Sequence, residues 1–235
     1  MTPTKLLIGQ ILVVFAIVAL GLWAAGYASD VWDDVELELE RYGLEFYQAL
    51  ADEAEIGWKR NGNLWFATSQ EGWERFLEPL ATDERVPDRV RLDPAGVEEV
   101  TGIVRASRVV GGVLHPGGAQ VSARKSVHAL AERVLRNGGR IETRRPVTRI
   151  STAADRIVAV ETERGRIATG TVVLAAGSWS NGLLAEFGTF LPMAPLVAAR
   201  IVTEPLGAPP TLPTLMVPEI SFAWLREEAG GLLRA

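Results

Sequence analysis

Thr171-Val172-Val173-Leu174-Ala175-Ala176-Gly177 is the stretch on which the fold turns. It is an uninterrupted apolar run that closes on three residues with almost no side chain. Such a run predicts a central strand buried on both faces, as in a parallel sheet. Small residues at its end let a flat or phosphorylated ligand approach the backbone, and ligands of open α/β sheets sit beyond the carboxyl ends of the strands. Taken alone, Ala175, Ala176 and Gly177 are better explained by tight helix–strand packing without a ligand.

The residues upstream supply the context. Val147–Ile150, Ile157–Thr162 and Arg166–Ala168 read as a meander of short strands, with turns at Ala154-Asp155 and Arg164-Gly165. Before them, Ser122 caps an amphipathic helix with Val127, Leu130, Ala131, Val134 and Leu135 on one face. Asn137-Gly138-Gly139 ends that helix, and a strand is expected at 141–143. Further back, 109–121 is extended and broken by glycines. Asp93-Pro94 opens a short helix, and Ser69 N-caps another that carries Trp73, Phe76 and Leu77. Asn63–Thr68 reads as a strand. Residues 34–52 read as a helix with Leu39, Tyr42, Phe46, Ala49 and Leu50 at helical spacing. Residues 205–213, PLGAPPTLP, read as a surface connection. The order predicts a mixed α/β (α+β) fold with no internal repeat.

The chain has 235 residues, 48% apolar and 23% charged, enough for one or two packed domains. A formal net charge of −5 gives no basic footprint for nucleic acid. No cysteine is present, which excludes disulfides, thiolate metal sites and cysteine nucleophiles. His115 and His128, the only histidines, are read as structural, and no metal site is expected.

No charged residue occurs from Leu6 to Ser29. A run of about twenty apolar residues matches a bilayer core. Lys5 precedes it, Asp30, Asp33 and Asp34 follow, and Trp23 and Tyr27 lie near its far end. Residues 6–28 are therefore expected to form one transmembrane helix, giving an anchor at 1–29 and a domain at 30–235. A signal peptide cleaved after Ala28 and a buried core helix stay open as alternatives, and with them a cytoplasmic location. Residues 1–25 also resemble the first membrane segment of the coupling proteins of type IV secretion and conjugal transfer. No G-x-x-x-x-G-K-[ST] phosphate loop follows, so DNA pumping is not implied.

V-V-L-A-A-G-S-W-S at 172–180 resembles the second flavin-proximal motif of the D-amino-acid, glycine and sarcosine oxidase (DAO) family of FAD-dependent oxidoreductases. G-G-V-L-H-P-G-G-A-Q-V at 111–121, L-A-E-R-V-L-R-N-G-G-R-I at 130–141 and R-P-V-T-R-I at 145–150 are similar to that family's preceding strand, helix and adenine-side strand. E-F-Y-Q-A-L at 45–50 and N-G-N-L-W-F-A at 61–67 also fit. The resemblance runs from about Trp32 to Ala235. It implies part of an FAD-binding Rossmann-like sheet with part of a substrate domain, FAD as cofactor, and oxidation of a small amine or amino acid.

By the same resemblance, Val147 would lie against the adenine, Ala175, Ala176 and Gly177 would pass close to the cofactor, and Trp179 would pack beside it. Filling of the core is the other reading of Trp179. Arg226, in F-A-W-L-R-E-E-A-G-G-L-L at 222–233, matches the arginine that pairs with the substrate carboxylate, a role for which a planar guanidinium is suited. A solvated arginine beside Glu227 and Glu228 is the alternative. The family's G-x-G-x-x-G occurs nowhere in this sequence, and its C-terminal glycine-rich stretch is not found after 222–233. The chain is therefore expected to be truncated at both ends and to need either a partner chain or an unseen N-terminal extension to complete the FAD site. A membrane-anchored inactive remnant or binding module without flavin is the competing function. A serine hydrolase is disfavoured, because neither Ser178 nor Ser180 has glycines two before and two after it.

Overall fold

The computed structural model describes residues 34–193, 201–205, 207–220, 223–228 and 232–234. The membrane helix expected at 6–28 and the coupling-protein resemblance at 1–25 lie outside them. Among the described residues no helix is long and apolar enough to cross a membrane. The chain divides into two compact units: of the described residues, 127–193 belong to one, and 34–126 with 201–234 to the other.

In chain order the elements are α1 (Asp34–Glu53), β1 (Asn63–Ala67), α2 (three continuous segments, Gln70–Gly72, Trp73–Leu77 and Glu78–Ala81), β2 (Val90–Leu92), α3 (Pro94–Thr101), β3 (Gly111–His115), α4 (Ala123–Arg136), β4 (Val147–Ala153), β5 (Arg156–Thr162), β6 (Gly165–Ala168), α5 (Ser180–Leu184), β7 (Thr214–Val217), β8 (Ala223–Glu228) and β9 (Leu232–Arg234).

The larger unit is built on a six-stranded mixed sheet in the order β2-β3-β1-β7-β8-β9. β1 and β7 are parallel, and the other neighbours are antiparallel. Alternation along the strands divides the core in two. Trp65, Ala67, Val113 and Met216 pack with Leu37 of α1 and Trp73, Leu77 and Leu80 of α2. Leu64, Phe66, Leu215 and Val217 pack on the other face with Val97 of α3, Val109, Ala208 and Leu212. Each of the buried Val, Leu, Phe and Met side chains contributes about 1.5–3 kcal/mol by leaving water.

The local chemistry of the sequence accounts for the helix starts. Ser69 accepts from Gly72 N at 3.0 Å, and Asp93 accepts from Gly96 N at 2.8 Å, with Pro94 supplying a residue that has no N–H to satisfy. The middle segment of α2 is wound as a π-helix. That winding brings residues five apart together, and the Trp73 indole N–H donates to the Glu78 carboxylate. Arg91 stacks over the same indole at 4.3 Å. Glycine breaks the 109–121 segment because α3 passes directly over it: a Cβ on Gly112 would lie 2.9 Å from Val97 Cγ2.

In the smaller unit β4, β5 and β6 form an antiparallel meander. Ala154 and Asp155 both have positive φ, 47° and 58°, the tight hairpin turn expected there. α4 ends as expected, with Gly138 left-handed and Gly139 N bonded to Val134 O at 2.9 Å.

Several expectations are corrected. Residues 171–176 form no strand, and their side chains are half-buried or exposed. A central strand exists only through its ladders, and among the described residues no strand runs beside this segment. Residues 141–143 form no strand for the same reason. On α4, Val127 and Leu135 are 45% and 54% exposed, and the buried face is Ser126, Ala129, Leu130 and Val134. Leu130 and Val134 are buried as expected, and the small residues Ser126 and Ala129 complete the face in place of Val127 and Leu135. On α1, Leu39, Tyr42 and Ala49 are exposed, and Leu37, Tyr47 and Leu50 are buried. Glu40 lies on that buried side and interrupts its apolar pattern in the sequence. Residues 205–213 are more than a surface connection, because Ala208 and Leu212 enter the core.

Candidate functional site

The five residues expected near a cofactor all lie in the smaller unit. Val147 opens β4, opposite Thr162, and its side chain is 38% exposed. β4 is an edge strand of the three-stranded sheet, so the outer side of its backbone carries no ladder among the described residues. Ala175 and Ala176 are half-buried. Gly177 is left-handed at φ 52°, and nothing lies within 4 Å of where its Cβ would be. Gly177–Trp179 forms a single 3-10 turn that leads directly into α5.

α5 packs against β4, and Arg149 of that strand pairs with Glu186 just after the helix at 2.9 Å. The helix that follows the Trp179 turn is thereby held against the strand that opens on Val147. Trp179 is 81% exposed, which corrects the core-filling reading. The ledge is apolar, poor in side-chain bulk and open above Gly177.

Arg226 lies in the larger unit, on β8. It is half-buried, donates from Nη1 to Val121 O at 3.3 Å, and stands over the Trp224 ring at 5.3 Å. Glu227, on the opposite face of the strand, is buried and forms an ion pair with Lys59. The solvated arginine beside two glutamates is thus corrected: Arg226 and Glu227 point to different faces, and each is tied inward. Gln120 completes the arrangement, donating to Glu227 O at 3.1 Å and pairing with Lys59 through backbone bonds of 3.0 and 2.9 Å.

Sequence reasoning missed Lys59 and Gln120, whose importance comes from partners about a hundred residues away or more; no local pattern marks them. His115 is half-buried and its Nδ1 has no hydrogen-bond partner among the described residues. Burial first, then the charges of Arg89 and Arg60, push its pKa down, with Asp88 opposing. It stays neutral, in keeping with a structural role. His128 is exposed. Ser178 is exposed and Ser180 buried, and no histidine hydrogen-bonds to either among the described residues, so no hydrolase dyad forms. No group of metal-binding side chains occurs among the described residues.

The larger unit carries a mixed sheet and the smaller unit a meander followed by a small-residue turn, a mixed α/β architecture. The family model described as FAD dependent oxidoreductase (DAO) matches residues 17–232, and the chain belongs to that family. The match begins at Ile17, inside the uncharged run assigned to a membrane helix. The chain is 27% identical over 202 residues to 4-methylaminobutanoate oxidase (formaldehyde-forming) of Paenarthrobacter nicotinovorans, covering 83% of this chain and 24% of that protein. It is 29% identical over 182 residues to D-amino acid dehydrogenase of Neisseria gonorrhoeae, covering 74% and 43%. The chain thus spans less than half of these curated relatives. Among solved structures, glycine oxidase from Geobacillus kaustophilus superposes with a TM-score of 0.79 at 19% identity, over 97% of this chain and 67% of that one. L-proline dehydrogenase from P. horikoshii gives 0.76 at 17%, over 97% and 66%. These two likenesses establish the fold.

Proposed function

We propose that this chain takes part in FAD-dependent oxidation of a small amino acid or amine at its C–N bond, with Val147, Ala175, Ala176, Gly177 and Trp179 on the cofactor side and Arg226 on the substrate carboxylate. The observation that carries the reading is the family match over residues 17–232. Its curated relatives include an amine oxidase and a D-amino acid dehydrogenase.

The residues present fit one flank of FAD. The open, apolar ledge at Val147, Ala176 and Gly177 suits the flat face of an aromatic ring, and the exposed Trp179 indole offers a surface for stacking. The pyrophosphate is different. It needs backbone amides at a glycine-lined helix start, and the sequence has no G-x-G-x-x-G. A partner chain that carries such a unit would complete the site.

FAD, when bound, supplies the acceptor for the two electrons released as the amine becomes an imine. The chain's own part is binding and orientation. Arg226 holds a carboxylate by charge-assisted hydrogen bonds, with Trp224 beneath the guanidinium limiting its motion. No side chain is assigned as acid or base. The test uses the chain completed by a polypeptide carrying a G-x-G-x-x-G strand–helix unit and loaded with FAD. It is mixed anaerobically with secondary amines and D-amino acids, and loss of the oxidised-flavin band is followed. A band unchanged by every such substrate overturns the reading.

A second reading, a membrane-anchored inactive remnant or binding module without flavin, draws on one observation: the 171–176 run forms no strand among the described residues. Stoichiometric flavin binding would exclude it. We further propose that residues 6–28 anchor the chain in a membrane, on the length of the uncharged run. Release of uncleaved chain by carbonate extraction would overturn the anchor.

A further inference from the structure

β1 and β7 are parallel neighbours, so their carboxyl ends open on the same edge of the sheet. α2 begins just after β1, and Pro218-Glu219 follow β7. The Glu219 carboxylate divides four donors between its two oxygens. Oε2 accepts from Thr68 N at 2.6 Å and Thr68 Oγ1 at 2.9 Å. Oε1 accepts from Ser69 N at 3.0 Å and from the Ser69 hydroxyl. Ser69 is also the N-cap of α2, so an internal anion lies where the amide dipoles of a helix start converge. The space it fills exists because residue 72 is glycine: a Cβ there would lie 2.1 Å from Oε1 and 2.2 Å from Cδ.

We propose that Glu219 is a latch that holds the β7–β8 hairpin, and with it Arg226, in register against β1 and α2. Two independent features set it apart from an incidental surface contact. All four bonds span 150 or 151 residues, so they close the unit over a long loop. The carboxylate also occupies a cavity that any side chain at position 72 would fill. At the other end of β8, Glu227 is tied to Lys59 and Gln120. The strand that carries Arg226 is therefore fastened before its start by Glu219 and near its end by Glu227. Glu219 is a positioning residue. The latch stands on the bonds alone, and its bearing on substrate rests on the role proposed for Arg226.

Hydrogen exchange of the full chain, read on peptides covering 214–228, tests the latch. Glu219→Ala and Gly72→Ala should each speed exchange of the β8 amides by about tenfold or more, since each removes several charge-assisted bonds from one local unit. Exchange in β2 and β3 should stay as it is. The double variant should exchange no faster than either single one, because Gly72→Ala already expels the carboxylate. Formate should restore protection to Glu219→Ala but not to Gly72→Ala, whose methyl group fills the cradle. Should Glu219→Ala fail to fold, Glu219→Gln, which keeps one acceptor oxygen, should give intermediate exchange. Unchanged β8 protection in the singles, or additive effects in the double, overturns the latch. Faster exchange with unchanged affinity for an amino-acid analogue keeps the latch and overturns the role of Arg226.

Discussion

Trp224 and Arg226 stand two residues apart on β8 and share one face of the sheet, with the guanidinium carbon 5.3 Å from the centre of the indole ring. Met216 lies opposite Trp224 in register, and Trp65 beside Met216, so the arginine borders an aromatic floor. A guanidinium stacked in this way keeps its plane fixed, which a flexible ammonium does not.

The first prediction follows from that geometry. Arg226→Lys should weaken binding of an amino-acid analogue by about 1.5–3 kcal/mol, close to the loss from Arg226→Ala, because lysine offers a point charge where a fork is needed. Calorimetric titration of the FAD-loaded protein, reconstituted with a polypeptide carrying the missing G-x-G-x-x-G unit, checks it. Wild-type affinity in Arg226→Lys would show that the fork makes no contact with substrate.

A second prediction concerns the Lys59–Glu227 pair, which links the loop before β1 to β8. Removing one partner leaves the other charge buried. Lys59→Met should destabilise the chain by about 3 kcal/mol, the low end for a buried pair, because the Lys59 side chain keeps 33% exposure. Lys59→Met combined with Glu227→Leu should recover most of that loss. Denaturant melts of the two variants decide: equal stability of the single and double variants would mean that the buried carboxylate does not depend on the Lys59 ammonium.

Features written in adjacent residues were legible. Ser69 and Asp93 cap helices, Ala154-Asp155 turns a hairpin, and Gly138 ends α4 as expected. Features that depend on distant partners were not. Lys59 and Gln120 gain their meaning from β8, more than a hundred residues further on. The apolar run at 172–176 has the composition of a central strand, yet pairing is a property of two segments, and among the described residues no strand pairs with it. On α1 the buried face contains Glu40, so an apolar stripe pointed about one residue off. For the site, the sequence named residues of β4 and of the turn before α5, and α5 packs against β4. The exposure of Trp179 was not foreseen.

The third prediction uses Glu40. Burial raises its pKa above 4.5, and the nearby charges of Arg89 and Arg41 only partly offset this. A carboxyl with a raised folded pKa binds its proton more tightly in the native state. It therefore penalises folding above that pKa, and the penalty disappears as pH falls below the unfolded value near 4.5. Glu40→Gln should raise the melting temperature at pH 7, and the gain should vanish on acidification to pH values below 4.5. A loss of stability at pH 7 would mean that the attraction to Arg89 outweighs burial.

The last prediction is that this 235-residue chain, purified alone, does not retain FAD. The residues suited to the cofactor belong to one flank: Val147 on an edge strand, Ala175 to Gly177 in an open turn, and Trp179 with its ring exposed. Their contacts would be apolar or made by backbone groups, and they leave the pyrophosphate uncovered. That group needs several amides from a helix start reached through glycines. Gly111-Gly112 lie in β3 beneath α3, Gly117-Gly118 turn away from it, and Gly138-Gly139 close α4 rather than open a helix. The start of α2, the other strong cluster of amide donors, is already occupied by the Glu219 carboxylate. Without several charge-assisted bonds at about 1.5–3 kcal/mol each, affinity should fall by orders of magnitude. FAD added in excess should bind weakly and wash off on gel filtration, leaving no flavin band near ~450 nm. Addition of a polypeptide carrying a G-x-G-x-x-G strand–helix unit should convert weak binding into retention. A stoichiometric yellow preparation of the chain by itself would show that the pyrophosphate is held by residues other than those assigned.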